Sequence, residues 1–423
     1  MKKLKIFLIT MFTIALMLNP NIIYATDGTL EWTSSLQNDS MGLKINECSE
    51  YLNHLMIEEM GYEFFYNHMK ALDTINFLYE LLPTNRLGET MYPENFGGMY
   101  IDEDGHLVFL LLDNIDNDIT LSRLSNNVIE KPADFSYNEI MLTHGYLSYL
   151  FEYHYENPVI ENIGALWTDI VNNRVVIELF EYNTEMIHIF KNEILDVELL
   201  YFTPFEKDIT ALEFHNDVEG KTLDSRVESA TFSPLNTITI TPGDTIRMGS
   251  PNGGTCSVGF RVAGGFMTAA HCGNIGTRIY NSRGSFIGTM RGRTANIDAG
   301  WVSINSNVSV SGTISSTTHI SPQVIAPVVG RFVTSRGAIN GSRGGTIDRV
   351  NVDFTFSQPT NGISRVIGTT RANFRSDGGD SGGIVISHIS GQSHGVQGIS
   401  IARSGTTVSF YTPANRITAW RPQ

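Results

Sequence analysis

A chain of 423 residues that is 41% hydrophobic and 17% charged has the apolar content for two or three packed domains, which excludes the disordered class. Its formal charge of −15 argues against nucleic acid as a partner, because a polyanion requires a basic footprint. The charge is unevenly divided. Residues 240–423 carry 16 Arg, no Lys, six Asp and no Glu, whereas residues 1–239 carry 13 basic and 38 acidic side chains. Of the 39 glycines, 29 also lie in 240–423. Two halves of opposite charge and different glycine content read as separate folding units whose opposition favours docking. Charge alone leaves open two unrelated domains on one string.

In chain order, Lys2, Lys3 and Lys5 precede an apolar run over 6–18, then Pro20 and the small Ala25. This pattern predicts a cleaved signal peptide over 1–25 and a secreted, extracellular product. The run is shorter than the roughly 20 residues a span needs, so no membrane anchor is expected. Export implies an oxidising compartment. Of the three cysteines, Cys256 and Cys272 fall in the C-terminal half and are the expected disulfide, leaving Cys48 as an odd thiol without an assigned role.

Helical apolar spacing marks 51–60, 68–82, 140–153 and 185–195. Between them, two segments match at an offset of 67. Gly97, Tyr100, Asp102, Val108, Leu110 and Leu112 align with Gly164, Trp167, Asp169, Val175, Ile177 and Leu179. Each reads as a β-hairpin, turning at Glu103-Asp-Gly105 or Val171-Asn-Asn173, and a further strand is expected over 197–202. Residues 26–216 are therefore expected to form an acidic α+β domain with two related β-hairpin units. Its acids are spread as on a solvated face, which points to a structural or docking role. The polar stretch 217–239 is read as an exposed connector and a site for proteolysis.

From Ile240 onward, short β-branched runs alternate with Gly, Asn, Ser and Arg turns. Runs at 256–262, 266–270, 301–304, 331–334, 383–386 and 408–411 predict an all-β barrel or sandwich, with a short helix at 414–420. Three local sequences in this half carry chemistry: Thr268-Ala-Ala-His271-Cys272, Asn296-Ile-Asp298-Ala-Gly-Trp301 and Gly378-Gly-Asp380-Ser381-Gly-Gly383. A serine hydroxyl becomes a nucleophile when a neutral imidazole takes its proton, and a buried carboxylate fixes the imidazole tautomer. Glycines around Ser381 allow a sharp turn in which the amides of Gly379 and Ser381 converge on one oxygen as an oxyanion hole. Alone, a buried His is more often a core residue and the glycine-rich segment could be an ordinary turn. Together, and in this order, they are the candidate catalytic His271, Asp298 and Ser381.

This trio resembles the chymotrypsin-like serine proteases; subtilisin-like and α/β-hydrolase enzymes use other orders. Ile240-Thr-Pro-Gly-Asp244 followed by Cys256-Ser-Val-Gly-Phe260 is similar to the start of the bacterial streptogrisin and α-lytic protease group, and the likeness extends over 240–423. The resemblance implies a double β-barrel, a Cys256–Cys272 bridge beside the base, and a pro-region, from about residue 26 to 239, that templates folding, inhibits the enzyme and is removed. It places autocleavage between Thr239 and Ile240. Cysteines that bridge a second loop in many members are replaced here, near Thr334 and Gly344. Arg336 is expected to neutralise a buried Asp380.

In the resembling enzymes a strand ending in Ser-Gly-Gly lines the primary pocket. The matching stretch is taken as Gly398-Ile-Ser400-Ile401-Ala402, so Ser400, Ile401 and Ala402 are the expected substrate-binding residues. Side chains in place of glycines shrink the pocket, predicting small or medium apolar residues before the cut. Asp377 would instead favour a basic residue, and a glutamate preference ranks third because Ile399 is not a histidine. His388 and His394 are read as surface or loop residues. No His or Cys cluster has metal-ligand spacing, so neither metal nor cofactor is expected. The partners expected are protein or peptide substrates and the chain's own pro-domain. The alternative function is a catalytically inactive secreted binding or inhibitory protein on a protease fold.

Overall fold

Helices α1 (Glu50–Met60) and α2 (Tyr62–Leu81) begin the described part of the chain, separated at Gly61, whose φ of +88° suits a residue without a Cβ. The computed structural model describes residues 50–86, 90–112, 128–205, 208–212, 237–314, 318–390 and 393–419. The expected signal peptide, Cys48 and all of the expected connector 217–239 but its last three residues lie outside the described residues, and of those three Ile238 and Thr239 belong to a strand rather than to a connector. No described helix is long and apolar enough to cross a membrane.

Two units of the same plan follow. In the first, β1 (Phe96–Ile101) pairs antiparallel with β2 (Leu107–Leu111), and β3 (Val128–Pro132) joins parallel to β2. In the second, α3 (Tyr137–Tyr153) and the short α4 (Pro158–Glu161) precede an antiparallel pair, β4 (Ile163–Asp169) and β5 (Arg174–Leu179). Helix α5 (Thr184–Glu193) then leads to β6 (Leu200–Pro204), parallel to β5. Helix α3 starts at a capping box in which Ser136 and Glu139 exchange hydrogen bonds. The matched glycines do the same job in both units. A Cβ on Gly97 would lie 2.4 Å from the Cβ of Ala133, and one on Gly164 would lie 2.3 Å from the ring of Phe205, just beyond each third strand. Strand β3 carries little apolar pattern because most of it is exposed, so periodicity does not reveal it.

Strand β7 (Ile209–Ala211) ends the acidic half, and β8 (Ile238–Ile240) opens the basic half. Next come β9 (Thr245–Met248), β10 (Thr255–Ser257), β11 (Arg261–Val262), β12 (Gly265–Ala269), β13 (Arg278–Asn281), β14 (Phe286–Thr294) and β15 (Ala299–Ile304). The seven from β9 to β15 form one antiparallel sheet in the order β10-β9-β13-β14-β15-β12-β11. Strand β16 (Val308–Val310) pairs parallel with β8.

The second sheet contains β18 (Phe332–Gly337), β19 (Gly341–Thr360), β20 (Ile363–Ala372), β21 (Ile384–Ser390), β22 (Ser393–Ser404) and β23 (Val408–Pro413), with β17 (Ile320–Val324) on β22. Helix α6 (Ala414–Ala419) closes the described chain. The basic half is thus all-β, built of two sheets, and the acidic half is α+β.

The sheets of the two halves are continuous. Strand β19 pairs with β4, matching Val350 with Thr168 and Phe354 with Ala165, so β4, β5 and β6 extend the second sheet. One apolar cluster includes Leu166, Val175 and Ile177 together with Val352 and Phe354. The 20-residue β19 is not anticipated from the strand runs. Its hairpin with β20 turns at Asn361-Gly362, both at positive φ (46° and 76°), the residue pair a tight primed turn favours. The expected single strand at 256–262 is divided between β10 and β11, because the amides of Val258 and Gly259 donate instead to Asp244 and Met267.

Candidate active site

Adjacent strands bring His271 and Asp298 together. Strands β12 and β15 pair to their ends, Ala269 opposite Ala299, and the chain just beyond each supplies a functional side chain. His271 sits in a short turn over Ala270–Cys272, and Asp298 precedes β15 with φ +48°, a left-handed conformation uncommon for aspartate. The Ala270 amide donates to the Asp298 carbonyl at 3.2 Å. The Asp298 carboxylate accepts the His271 amide at 2.8 Å and faces Nδ1 at 2.6 Å. That bond assigns the proton to Nδ1 and leaves Nε2 as the acceptor.

Ser381 comes from the turn between β20 and β21. Gly379 and Gly382 flank it with φ +102° and +79°, and a Cβ on Gly382 would lie 2.0 Å from Thr268 Oγ1. The first barrel clamps this turn. Ser257 donates its amide to the Ser381 carbonyl and its hydroxyl to the Gly379 carbonyl, each at 2.8 Å. The Cys256–Cys272 disulfide joins β10 to the histidine turn. His271 Nε2 stands 2.7 Å from Ser381 Oγ, and all three side chains are buried. The structure therefore brings His271, Asp298 and Ser381 into one hydrogen-bonded line.

What covers them is the end of the acidic half. Strand β7 pairs antiparallel with β22, Ile209 opposite Ser404, Thr210 opposite Arg403 and Ala211 opposite Ala402. The next residue, Leu212, donates its amide to the Ile401 carbonyl at 3.3 Å, and its side chain is 1% exposed. Ser381 Oγ donates to the Leu212 carbonyl oxygen at 2.8 Å. One hydroxyl proton thus has two acceptors in reach, the Leu212 oxygen and His271 Nε2.

The three expected substrate-binding residues sit differently against β7. Ile401 and Ala402 lie along β7, but Ser400 does not. Its hydroxyl meets Ser335 Oγ at 3.0 Å, its amide donates to Gly383, and its carbonyl accepts from Gly382. Ser400 buttresses the turn that carries Ser381, and Arg403 lies opposite Thr210. The cause is an irregularity in the β22–β23 pairing between Ser400 and Ala402, which local sequence does not display.

Asp380 also departs from expectation. It accepts the amides of Ile339, Asn340 and Asp377 at 2.8, 3.1 and 3.0 Å, and the Asn340 side chain at 2.5 Å. These four bonds satisfy its carboxylate, and among the described residues no arginine pairs with it. Arg336 instead packs on Gly243, where a Cβ would fall 2.4 Å from its Cγ.

His388 and His394 are not surface residues. Both are 2% exposed, and their rings meet at a tilt with centroids 4.3 Å apart on β21 and β22. His388 Nε2 meets Asn53 Oδ1 of α1 at 2.6 Å. Nearby, His68 of α2 accepts the Phe332 amide at 3.4 Å, and the buried Arg331 donates to the His388 carbonyl. Burial depresses all three histidines, His68 to about 3 and His394 to about 4, with Arg331 adding repulsion at His68 and, alongside His394 and His68, at His388.

Leu212 and Arg403 escape a reading of local motifs. A three-residue strand before a polar connector carries no marker that its carbonyl meets a serine 169 positions away.

Comparison with known proteins adds an independent line. A family model described as a Pro-like N-terminal domain matches residues 50–133, and one described as a Pro-like C-terminal domain matches 138–204. Streptogrisin-C of Streptomyces griseus is 34% identical over 175 residues, covering 38% of this chain and 36% of the relative. The chain thus spans about a third of that relative's length. A Cellulomonas bogoriensis chymotrypsin structure is 27% identical with TM-score 0.36, covering 43% of this chain and 94% of that one. The corresponding values for Thermobifida fusca protease A are 28%, 0.35, 43% and 95%. The paired Pro-like matches and the streptogrisin likeness together support a serine protease of the streptogrisin and α-lytic type with a pro-region ahead of the protease half.

Proposed function

We propose that the chain is the precursor of a secreted serine endopeptidase whose protease half spans 240–423 and whose pro-region serves as folding template and inhibitor. The observation that carries the reading is the line from Asp298 through His271 to Ser381, ending on a peptide carbonyl. His271, held by Asp298, removes the Ser381 proton as Oγ attacks the carbonyl carbon, then returns it to the leaving amine. The amides of Gly379 and Ser381 hold the oxyanion, each worth about 3–4 kcal/mol in such enzymes. The backbone of Ile401, Ala402 and Arg403 aligns the substrate as an added antiparallel strand.

Burial of Leu212 supports a preference for medium apolar residues before the cut. Inhibition follows from occupancy, since a substrate cannot reach Ser381 while β7 lies on β22. A templating role is supported by the continuation of β19 into β4. A non-local β-fold meets its loop-closure entropy before its contacts form, and a preformed pro-region edge offers β19 a partner.

The test is covalent labelling of the processed protein with a fluorophosphonate. Labelling at Ser381 that disappears in Ser381→Ala supports the enzyme. A folded, processed protein that takes no label would instead fit a binding or inhibitory protein on this fold.

A further inference from the structure

We infer that the peptide bond on the carbonyl side of Leu212 is an intramolecular processing site, cut before and separately from the junction at Thr239–Ile240. The inference rests on the endopeptidase reading above. The two candidate bonds lie in opposite situations. At Leu212 the chain is extended along β22, the side chain is buried, the amide is bonded to Ile401, and the carbonyl oxygen is 2.8 Å from Ser381 Oγ. That holds the Leu212 carbonyl within hydrogen-bond reach of Ser381 Oγ.

Thr239, by contrast, is locked in β8. Ile238 donates its amide to Asn307, Ser311 donates to the Ile240 carbonyl, and Thr239 Oγ1 meets Ser309 Oγ at 3.1 Å. Ile240 is buried against β16. Strand β8 would have to be withdrawn from the protease half before the Thr239 carbonyl could be offered to Ser381, whereas the Leu212 carbonyl already lies at Ser381.

The reaction balances without any added reagent but water. Ser381 Oγ bonds to the Leu212 carbonyl carbon, and the bond from that carbon to the nitrogen of residue 213 breaks. The serine proton passes through His271 to the departing amine. Water then splits the ester, leaving a carboxylate on Leu212 and restoring the Ser381 hydroxyl. The pro-region, still paired through β4 and β7, is now a separate chain with its new terminus in the site. The protease half keeps residues 213–239 as an extension until a second cut removes it. Maturation thus has two steps, the first within one molecule.

The test follows the full chain by intact mass and terminal sequencing as it matures, with a chromogenic peptide anilide ending in leucine assayed in parallel. The expected first products end at Leu212 and begin at residue 213, at a rate that does not change when the protein is diluted. Ser381→Ala remains one chain. Leu212→Asp slows the first cut by about tenfold or more, because a charge must enter an apolar site, while Leu212→Met, nearly isosteric, keeps it and guards against misfolding as the explanation. If the anilide is hydrolysed while the first product ends at Thr239 with the Leu212 bond intact, the site is wrong and the enzyme reading stands. If neither the anilide nor the chain is cut, both fail.

Discussion

Arg403 and Asp377 form an ion pair, Nη1 to Oδ1 at 2.6 Å, beside the strand that carries the substrate-like segment. Arg375 reaches the other carboxylate oxygen at 2.9 Å. Burial acts to raise the Asp377 carboxyl, but hydrogen bonds from Asn340 and Arg375 and the charges of Arg375 and Arg403 outweigh it and hold the group below its ordinary range. A carboxylate already paired twice is a weak anchor for a substrate cation. We expect the processed enzyme to cleave after leucine at least about a hundredfold better than after arginine. Arg403→Ala, which removes one partner, should narrow that gap. Values of kcat/KM on matched peptide anilides test both statements, and equal values for leucine and arginine in the unaltered enzyme would overturn the first.

Asp298→Asn keeps an oxygen for the His271 amide but offers an NH2 group where Nδ1–H needs an acceptor. The imidazole would then favour the wrong tautomer. We expect kcat to fall by about 10⁴, as for such a change in serine proteases generally, with little change in thermal stability. Steady-state kinetics beside a melting curve make the check.

The buried histidines make pro-region docking sensitive to acid. His68, His388 and His394 are depressed below the ordinary 6.5 in the docked state, so the separated parts bind more protons than the complex between pH 6.5 and the lowered values. Docking stability is therefore full above about 6.5 and declines as pH falls toward about 4, where His394 begins to charge within the complex. The groups facing this cluster are Arg331, Asn53 and the rings of Phe64 and the histidines themselves. Each histidine contributes up to about a tenfold weakening per pH unit in that window. Inhibition by residues 50–212 added in trans should weaken from pH 7 to pH 5, and His388→Gln should flatten the dependence. A pH-independent inhibition constant would dismiss the idea.

Arg349 of β19 pairs with Glu178 of β5 at 2.7 Å and lies 4.1 Å over the Trp167 ring. Glu178 is 3% exposed, so its removal leaves a largely buried guanidinium unpaired. Glu178→Ala should weaken docking by about 2–5 kcal/mol, read as a raised inhibition constant in trans. Glu178→Gln should restore part of it.

Residues 240–423 refolded alone should regain activity far more slowly than with residues 50–212 supplied in trans. The β19–β20 hairpin then lacks the β4 edge on which it continues. Prompt, full activity from 240–423 alone would remove the templating role.

Much of the architecture is legible where the signal is local. Matched glycines at 97 and 164 mark the repeated unit because each sits under the segment following a third strand, where a Cβ has no room. The motifs around residues 271, 298 and 381 mark candidate chemistry because nucleophile, base and acid need particular side chains, with glycine beside the serine. The surroundings of Ser400, Asp380 and His388 are not legible in the sequence for a common reason. A bulge, a set of amide donors and a helix from the other half decide what each of them touches, and each of these is distant in sequence.

By itself the amino-acid sequence determined two halves of opposite charge, an α+β region followed by an all-β one, and the side chains available for acyl transfer. Composition, periodicity and short motifs act over a few residues, and each survives without knowledge of the rest. Only the tertiary structure decided that Leu212 lies on Ser381 and that the histidines of β21 and β22 are sealed under α1 and α2. Strand pairing between residues some 190 positions apart follows from the register of a completed sheet, and that register is set by burial on both faces rather than by any segment alone.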